Sequence, residues 1–169
     1  MKLFYGAAII EILIAIAVLA LVLTSVLGLA GLSLQSAGLI QQTVAAVNLA
    51  QEAMEAARSF RDAVAWENED PQDQYDGLGV LAPGAFYHPA KSQDSQPKWM
   101  LLSGQETFGG FSRKIVFENV SRDSSQNIES VYNPANNDPD TKKAIVSVSW
   151  QEKGRPHSVE LNTYLTNWR

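Results

Sequence analysis

The chain opens on an apolar run interrupted by a single carboxylate. Glu11 follows Ala7-Ala8-Ile9-Ile10, and from Ile12 to Leu34 no charged side chain occurs. About 20 apolar residues suffice to cross a bilayer as a helix, so the run predicts a membrane span. Beyond Leu34 the pattern stays helical but changes character. Gln35, Gln41, Gln42, Asn48 and Gln51 mark a polar face, while Leu39, Ala46, Leu49, Ala50, Ala53, Ala57, Phe60 and Val64 recur at helical spacing. Good helix formers dominate from Thr43 to Arg61, and no proline appears before Pro71. The two halves together predict one helix from about Ala7 to Ala65, roughly 85 to 90 Å long at about 1.5 Å per residue. Its first half, residues 7–34, needs lipid or other apolar helices around it. Its amphipathic half, residues 35–65, can pack on a sheet.

After the helix the period falls to two. Glu67-Asn68-Glu69-Asp70-Pro71 ends the helix, and Asp76-Gly77, Pro83-Gly84 and Gln96-Pro97 mark turns, so residues 66–98 read as a long connection with short ordered pieces. Residues 98–102 form a short apolar strand and residues 105–110 are turn-like. Residues 111–120 alternate as a strand, with Ile115 and Phe117 on one face and Val116 and Val120 on the other. Residues 121–140 read as a second polar loop, whose Asn136-Asn137-Asp138-Pro139-Asp140 run is a turn opening the next strand rather than a metal site. Residues 144–151 point Val146, Val148 and Trp150 one way and Ser147, Ser149 and Gln151 the other. Residues 152–156 make a hairpin loop, and residues 158–167 return with Val159, Leu161, Thr163 and Leu165 on one face. An antiparallel sheet with one apolar side then needs a cover, and the second half of the helix is the long apolar surface that remains. The predicted fold is α+β: a long N-terminal helix packed on a small C-terminal antiparallel sheet, with residues 66–169 as a head large enough for one small core.

Composition narrows the function. Hydrophobic residues make up 46% of the 169, but they concentrate before residue 65. The net charge of −5 comes without a basic stripe, which argues against nucleic-acid binding. The absence of cysteine excludes a disulfide framework, a thiol nucleophile and a cysteine zinc site. No nucleophile elbow, phosphate-cradling loop, paired-histidine motif or dinucleotide fingerprint occurs, so no catalytic residue is assigned and the chain reads as a non-enzyme. His88 and His157 are isolated in the sequence. Glu67, Glu69, Asp70, Asp73 and Asp76 could supply oxygen ligands to calcium, yet they lack EF-hand spacing and a solvated acidic loop is the preferred reading. Trp150 falls on the core face, and Trp168 is placed to dock the terminus.

Glu11 is the residue that demands a partner. A charged side chain within a span costs about 2.5 to 3.5 kcal/mol on insertion scales, so it is a functional hypothesis by default. A short leader with Lys2, then Tyr5-Gly6-Ala7-Ala8-Ile9-Ile10-Glu11 and the apolar helix, resembles the prepilin signal of type IV pilins and pseudopilins. Ala7 and Ala8 stand where the family usually has phenylalanine and threonine. The resemblance implies that residues 1–6 are a leader, that prepilin peptidase cuts after Gly6, and that Ala7 becomes the N-methylated amino terminus. It implies that Glu11 pairs with the amino terminus of a neighbouring pilin subunit, and that an ATP-driven assembly platform extracts the chain from the bilayer. A cationic amine from a second chain offsets much of the penalty on a buried carboxylate, so the pair selects a docking register.

The shape implied is the pilin ladle. The place implied is the cytoplasmic (inner) membrane, single-pass with the C-terminus outside, then a filament. The last strands also resemble those of prepilin-type proteins of minor-pilin character. Tip-located members of the family often contact surfaces, a role that loops 66–98 and 121–140 would carry here. Gly28 and Gly31 match a region where many pilins lose helix on assembly; close packing through small residues is the equal alternative. Two other readings compete: a secretion or DNA-uptake pseudopilin, and a signal-anchored extracytoplasmic binding domain that never polymerises. A cleavable secretory signal fits poorly, because the run exceeds the usual 7 to 15 apolar residues and carries Glu11 near its start.

Overall fold

One helix, α1, runs from Leu3 to Ala63 in the computed structural model, which describes residues 3–168, with side chains from Ile9 onward. Of Gly6 and Ala7 only the helical backbone is described, and Met1 and Lys2 lie outside the described residues. The helix starts before the expected Ala7 and ends two residues before the expected Ala65, although Val64 N still donates to Phe60 O at 2.9 Å. The chain divides into two compact units, Met1–Gln42 and Thr43–Arg169.

The first unit is helix alone. Its large apolar side chains from Ile9 to Leu34 are each 53 to 75% exposed, on every face.

The second unit is α1 from Thr43 packed on a six-stranded antiparallel sheet. The strands are β1 (Phe86–Lys91), β2 (Trp99–Ser103), β3 (Glu106–Phe108), β4 (Phe111–Ser121), β5 (Asn137–Glu152) and β6 (Arg155–Thr166). They lie in the order β2-β1-β4-β5-β6, with β3 folded back on the start of β4. The buried helix face carries Ala46, Ala50, Ala53, Ala56 and Ala57, with Met54 and Phe60 as its large members. Small side chains make up most of this face, and Phe60 is its largest fully buried member. Opposite it stand Ile115, Phe117, Ala144, Val146 and Val148, all fully buried.

Three strand expectations need correction. β1 lies inside the segment expected to be irregular, because Pro89 disguises it. Gly104 N donates to Phe86 O and Ser92 N to Lys98 O, so the even-numbered residues of β1 bond to β2. Pro89, an odd position, turns its missing N–H to the other side, where β1 pairs with β4 only at Phe86 and Tyr87. Residues 106–108 form β3 rather than a turn; the turn is Gly109-Gly110, both at positive φ. β5 starts at Asn137, seven residues before the expected Ala144, within what reads as a polar loop.

A bulge accounts for the last difference. Asn119 pairs with Lys142 but Val120 pairs with Asp138, leaving Pro139, Asp140 and Thr141 without partners on β4. The phase of β4 shifts there, so Val120 is buried instead of facing away with Val116.

Candidate functional site

The apolar half of α1 is the element with the strongest chemical demand. It is the one helix among the described residues long and apolar enough to cross a membrane, and it lies near the N-terminus. Three hydroxyls interrupt the run, those of Thr24, Ser25 and Ser33, and the first two are satisfied locally: Thr24 Oγ1 donates to Leu21 O at 3.0 Å and Ser25 Oγ to the same oxygen at 2.8 Å. Back-bonding of this kind lets a hydroxyl sit in hydrocarbon without a free donor. Glu11 has no such outlet. It is exposed on the helix, and among the described residues none is hydrogen-bonded or ion-paired to it. Gly28 and Gly31 are helical, and a Cβ built on either meets nothing within 4 Å. No contact within this chain therefore requires glycine at those positions.

In the second unit the polar chemistry is concentrated on two cations buried in the apolar face of the sheet. Arg113 donates from Nε to Glu106 Oε1 at 2.6 Å, and from Nη1 to Leu49 O at 3.1 Å and Glu52 Oε2 at 3.2 Å, so it ties β4 to β3 and to α1. Lys142 Nζ donates to Asn119 Oδ1 at 2.8 Å, and burial lowers its pKa from the usual lysine range. Neither residue stands out by composition. Strand parity does reveal them: Arg113 is in phase with Ile115 and Phe117, and Lys142 with Ala144, Val146 and Val148.

The connection after α1 is ordered by Trp66, which is buried and donates from Nε1 to Pro139 O at 2.9 Å, the carbonyl that the β5 bulge projects. Gly77 N donates to Asn68 O and Gly79 N to Trp66 O, both at 2.8 Å. A Cβ on Gly77 would lie 2.2 Å from the carbonyl oxygens of Ala65 and Trp66, which explains the glycine. The acidic residues of this loop are partly consumed by the backbone. Asp70 Oδ2 accepts from the Gln74 and Tyr75 amides, and Asp76 Oδ1 accepts from the Asp70 amide. No group of three histidine, aspartate or glutamate side chains among the described residues could hold a metal ion.

The second loop is organised by Arg122, whose Nε donates to Asp138 Oδ2 at 2.6 Å and whose Nη1 donates to Gln126 O at 2.9 Å. Burial alone would raise the Asp138 carboxyl. Hydrogen bonds from Thr141, Arg122 and the Asp140 amide, with the Arg122 charge, outweigh it and hold the pKa below the usual aspartate range. Asp123, accepting from the Asn127 and Ser125 amides, is lowered as well. Thus residues 137–140 are strand, with Asp138 an ion-pair partner, and Asn136 closes a short 3-10 helix (Pro134–Asn136), rather than the run forming a turn.

The tryptophans do not form one surface. Trp66 and Trp150 are buried, the latter stacked on His157 at 5.5 Å; Trp99 carries Lys91 Nζ at 4.7 Å from its ring centre, and Trp168 is exposed with the Arg61 guanidinium 6.0 Å away. His88 lies on β1 rather than in a loop, its Nδ1 buried without a partner among the described residues. Cavities of about 590 and 410 Å3 flank the end of α1, one lined by Arg61 and Trp168, the other by Tyr75 and Trp99.

Comparison with known protein families, with curated proteins and with solved structures gives no match to this chain.

Proposed function

We propose that the chain is a structural subunit of a type IV pilus or related filament, of minor-pilin character, processed after Gly6 and assembled through the N-terminal helix. The observation that carries this reading is Glu11 at the head of a charge-free helical segment, Ile12 to Leu34, whose apolar side chains are exposed on all faces. Apolar surface on that scale requires either lipid or other helices around it. A span that merely anchors a domain has no use for a carboxylate inside it, whereas a span that moves from lipid into a bundle of copies can use one to choose its register. The amino terminus of Ala7, freed by cleavage, is one helical turn from Glu11 and supplies the complementary charge on a neighbouring copy. Lipid holds the subunit before assembly, and the head on residues 43–169 travels outside the membrane.

The decisive experiment is mass spectrometry of the N-terminus of protein isolated from cells with active prepilin peptidase. A peptide beginning at N-methylated Ala7 is expected. An intact leader would remove the amine and favour the signal-anchored domain. Glu11→Ala should leave processing intact while the protein disappears from sheared filaments; normal incorporation of that variant would refute the pairing mechanism. Removing a charge that costs about 2.5 to 3.5 kcal/mol should also leave membrane insertion unimpaired, which separates an assembly defect from an insertion defect.

A further inference from the structure

The second buried cation has a feature that the first lacks. Arg113 faces two carboxylates, but no carboxylate of the described residues lies within 4.0 Å of Lys142 Nζ. Its residue is 5% exposed, and its one hydrogen-bond acceptor is the neutral Asn119 amide. Buried charges are ordinarily paired, because desolvation is not otherwise repaid. The missing counter-charge has room to enter. Lys142 borders a solvent-open cavity of about 320 Å3, walled by Glu67, Asn119, Asn137, Pro139 and the backbone segment 79–83.

Apart from the Glu67 carboxylate, the side-chain groups left over on this wall are donors. Asn119 Oδ1 is occupied by Lys142, and Asn137 Oδ1 accepts from the Tyr132 hydroxyl at 3.0 Å, so each amide keeps its NH2. The ammonium retains two further N–H bonds. Pro139 O is already taken by Trp66. One cation with Glu67 on the same wall matches a monoanion better than a doubly charged phosphate. We propose that this cavity binds a carboxylate, with Lys142 as its counter-charge and the Asn119 and Asn137 amides as additional donors. The site belongs to the second unit and stands apart from the N-terminal helix and its proposed role.

The carboxylate has two sources, a free small acid or an acidic side chain of another chain, and one experiment separates them. The full chain in detergent micelles, labelled with 13C at lysine, is titrated with sodium acetate against sodium chloride at constant pH and ionic strength. A saturable shift of the Lys142 Cε resonance with acetate alone is expected, weakened at least several-fold in Asn119→Ala. In Lys142→Met the acetate response of the Gly79 and Asn119 amides should vanish. Sedimentation in parallel identifies the source. Self-association that acetate reverses assigns the carboxylate to another chain, and an acetate-independent mass assigns it to a free acid. No saturable response in the wild type, or an unchanged amide response in Lys142→Met, would overturn the site. The wild-type titration stands without the variant, so a misfolded Lys142→Met leaves the proposal open to refutation.

Discussion

Truncating Arg113 to alanine should cost about 3 kcal/mol, and the structure says which contacts carry that loss. The guanidinium side chain is 6% exposed and touches Glu106, Glu52 and the Leu49 carbonyl. These contacts are unequal. Glu52 is 51% exposed, so its ion pair contributes at most about 1 kcal/mol. Leu49 O sits within α1 and keeps its helical partner when the arginine goes. Glu106 is the acceptor that suffers, since its side chain is 25% exposed and would lose a 2.6 Å charged bond, a loss of about 1.5 to 3 kcal/mol. The Arg113 guanidinium carbon lies over Phe108 at 5.2 Å from the ring centre, and losing that contact adds about 1 kcal/mol. The total stays at the low end of the about 3 to 5 kcal/mol seen when a fully buried pair is broken, because water reaches Glu106. The assay is urea unfolding of the full chain in detergent micelles, followed by tryptophan fluorescence, for Arg113→Ala, Glu106→Gln and the double variant. A coupling of about 1 to 2 kcal/mol is expected from the cycle. A loss under about 0.5 kcal/mol for Arg113→Ala, or strict additivity of the two changes, would refute the claim that this cation ties β3 to β4.

Other outcomes follow from single positions. Gly77→Ala should destabilise the head by about 2 to 4 kcal/mol, because its Cβ meets two carbonyl oxygens and must break the 66–79 backbone bonds; an unchanged unfolding midpoint and unchanged Trp66 emission would contradict this. Gly28→Ala and Gly31→Ala meet open space, so each should raise helicity, by about 1 kcal/mol of helix propensity, without harming the head. If these glycines serve unwinding or close packing, both variants drop out of filaments, and normal incorporation would exclude either use. Asp138 has a lowered folded-state pKa, so its contribution to stability is complete above the unfolded-state value and is lost as pH falls through the folded one. Asp138→Asn should therefore be less stable near neutrality and show a flatter acid limb in pH-dependent melting; parallel acid limbs would show that Asp138 carries none of it.

Much of the architecture was legible in the sequence, since it depends on periodicity. The apolar run, the amphipathic continuation and the alternation in β5 and β6 each encode a surface that must be buried, and the polypeptide has few ways to bury them. The Lys153-Gly154 turn lies within the expected hairpin loop, both residues at positive φ as a tight turn between twisted strands requires. Gly6 and Ala7 are named only by the resemblance to the prepilin signal and Glu11 by its charge within the apolar run, and the pairing assigned to Glu11 is tested by the filament experiment.

What escaped the sequence are features that depend on a partner distant along the chain. Pro89 is acceptable in β1 only because β4 has already parted from that edge. Val120 turns inward only because three residues of β5 bulge opposite it, and that same bulge aims Pro139 O at Trp66. Parity along the observed β4 and β5 places Arg113 and Lys142 on the buried face, although Lys142 lies before the strand expected from Ala144, and the carboxylates around the one and part of the cavity wall beside the other come from α1, β3 and the 66–83 connection. Local pattern determines which surfaces must be hidden, because it follows from the 3.6 and 2.0 periods of the backbone. Only the tertiary structure decides which hidden charge finds a counter-charge, because that depends on distances between segments that the pattern does not contain.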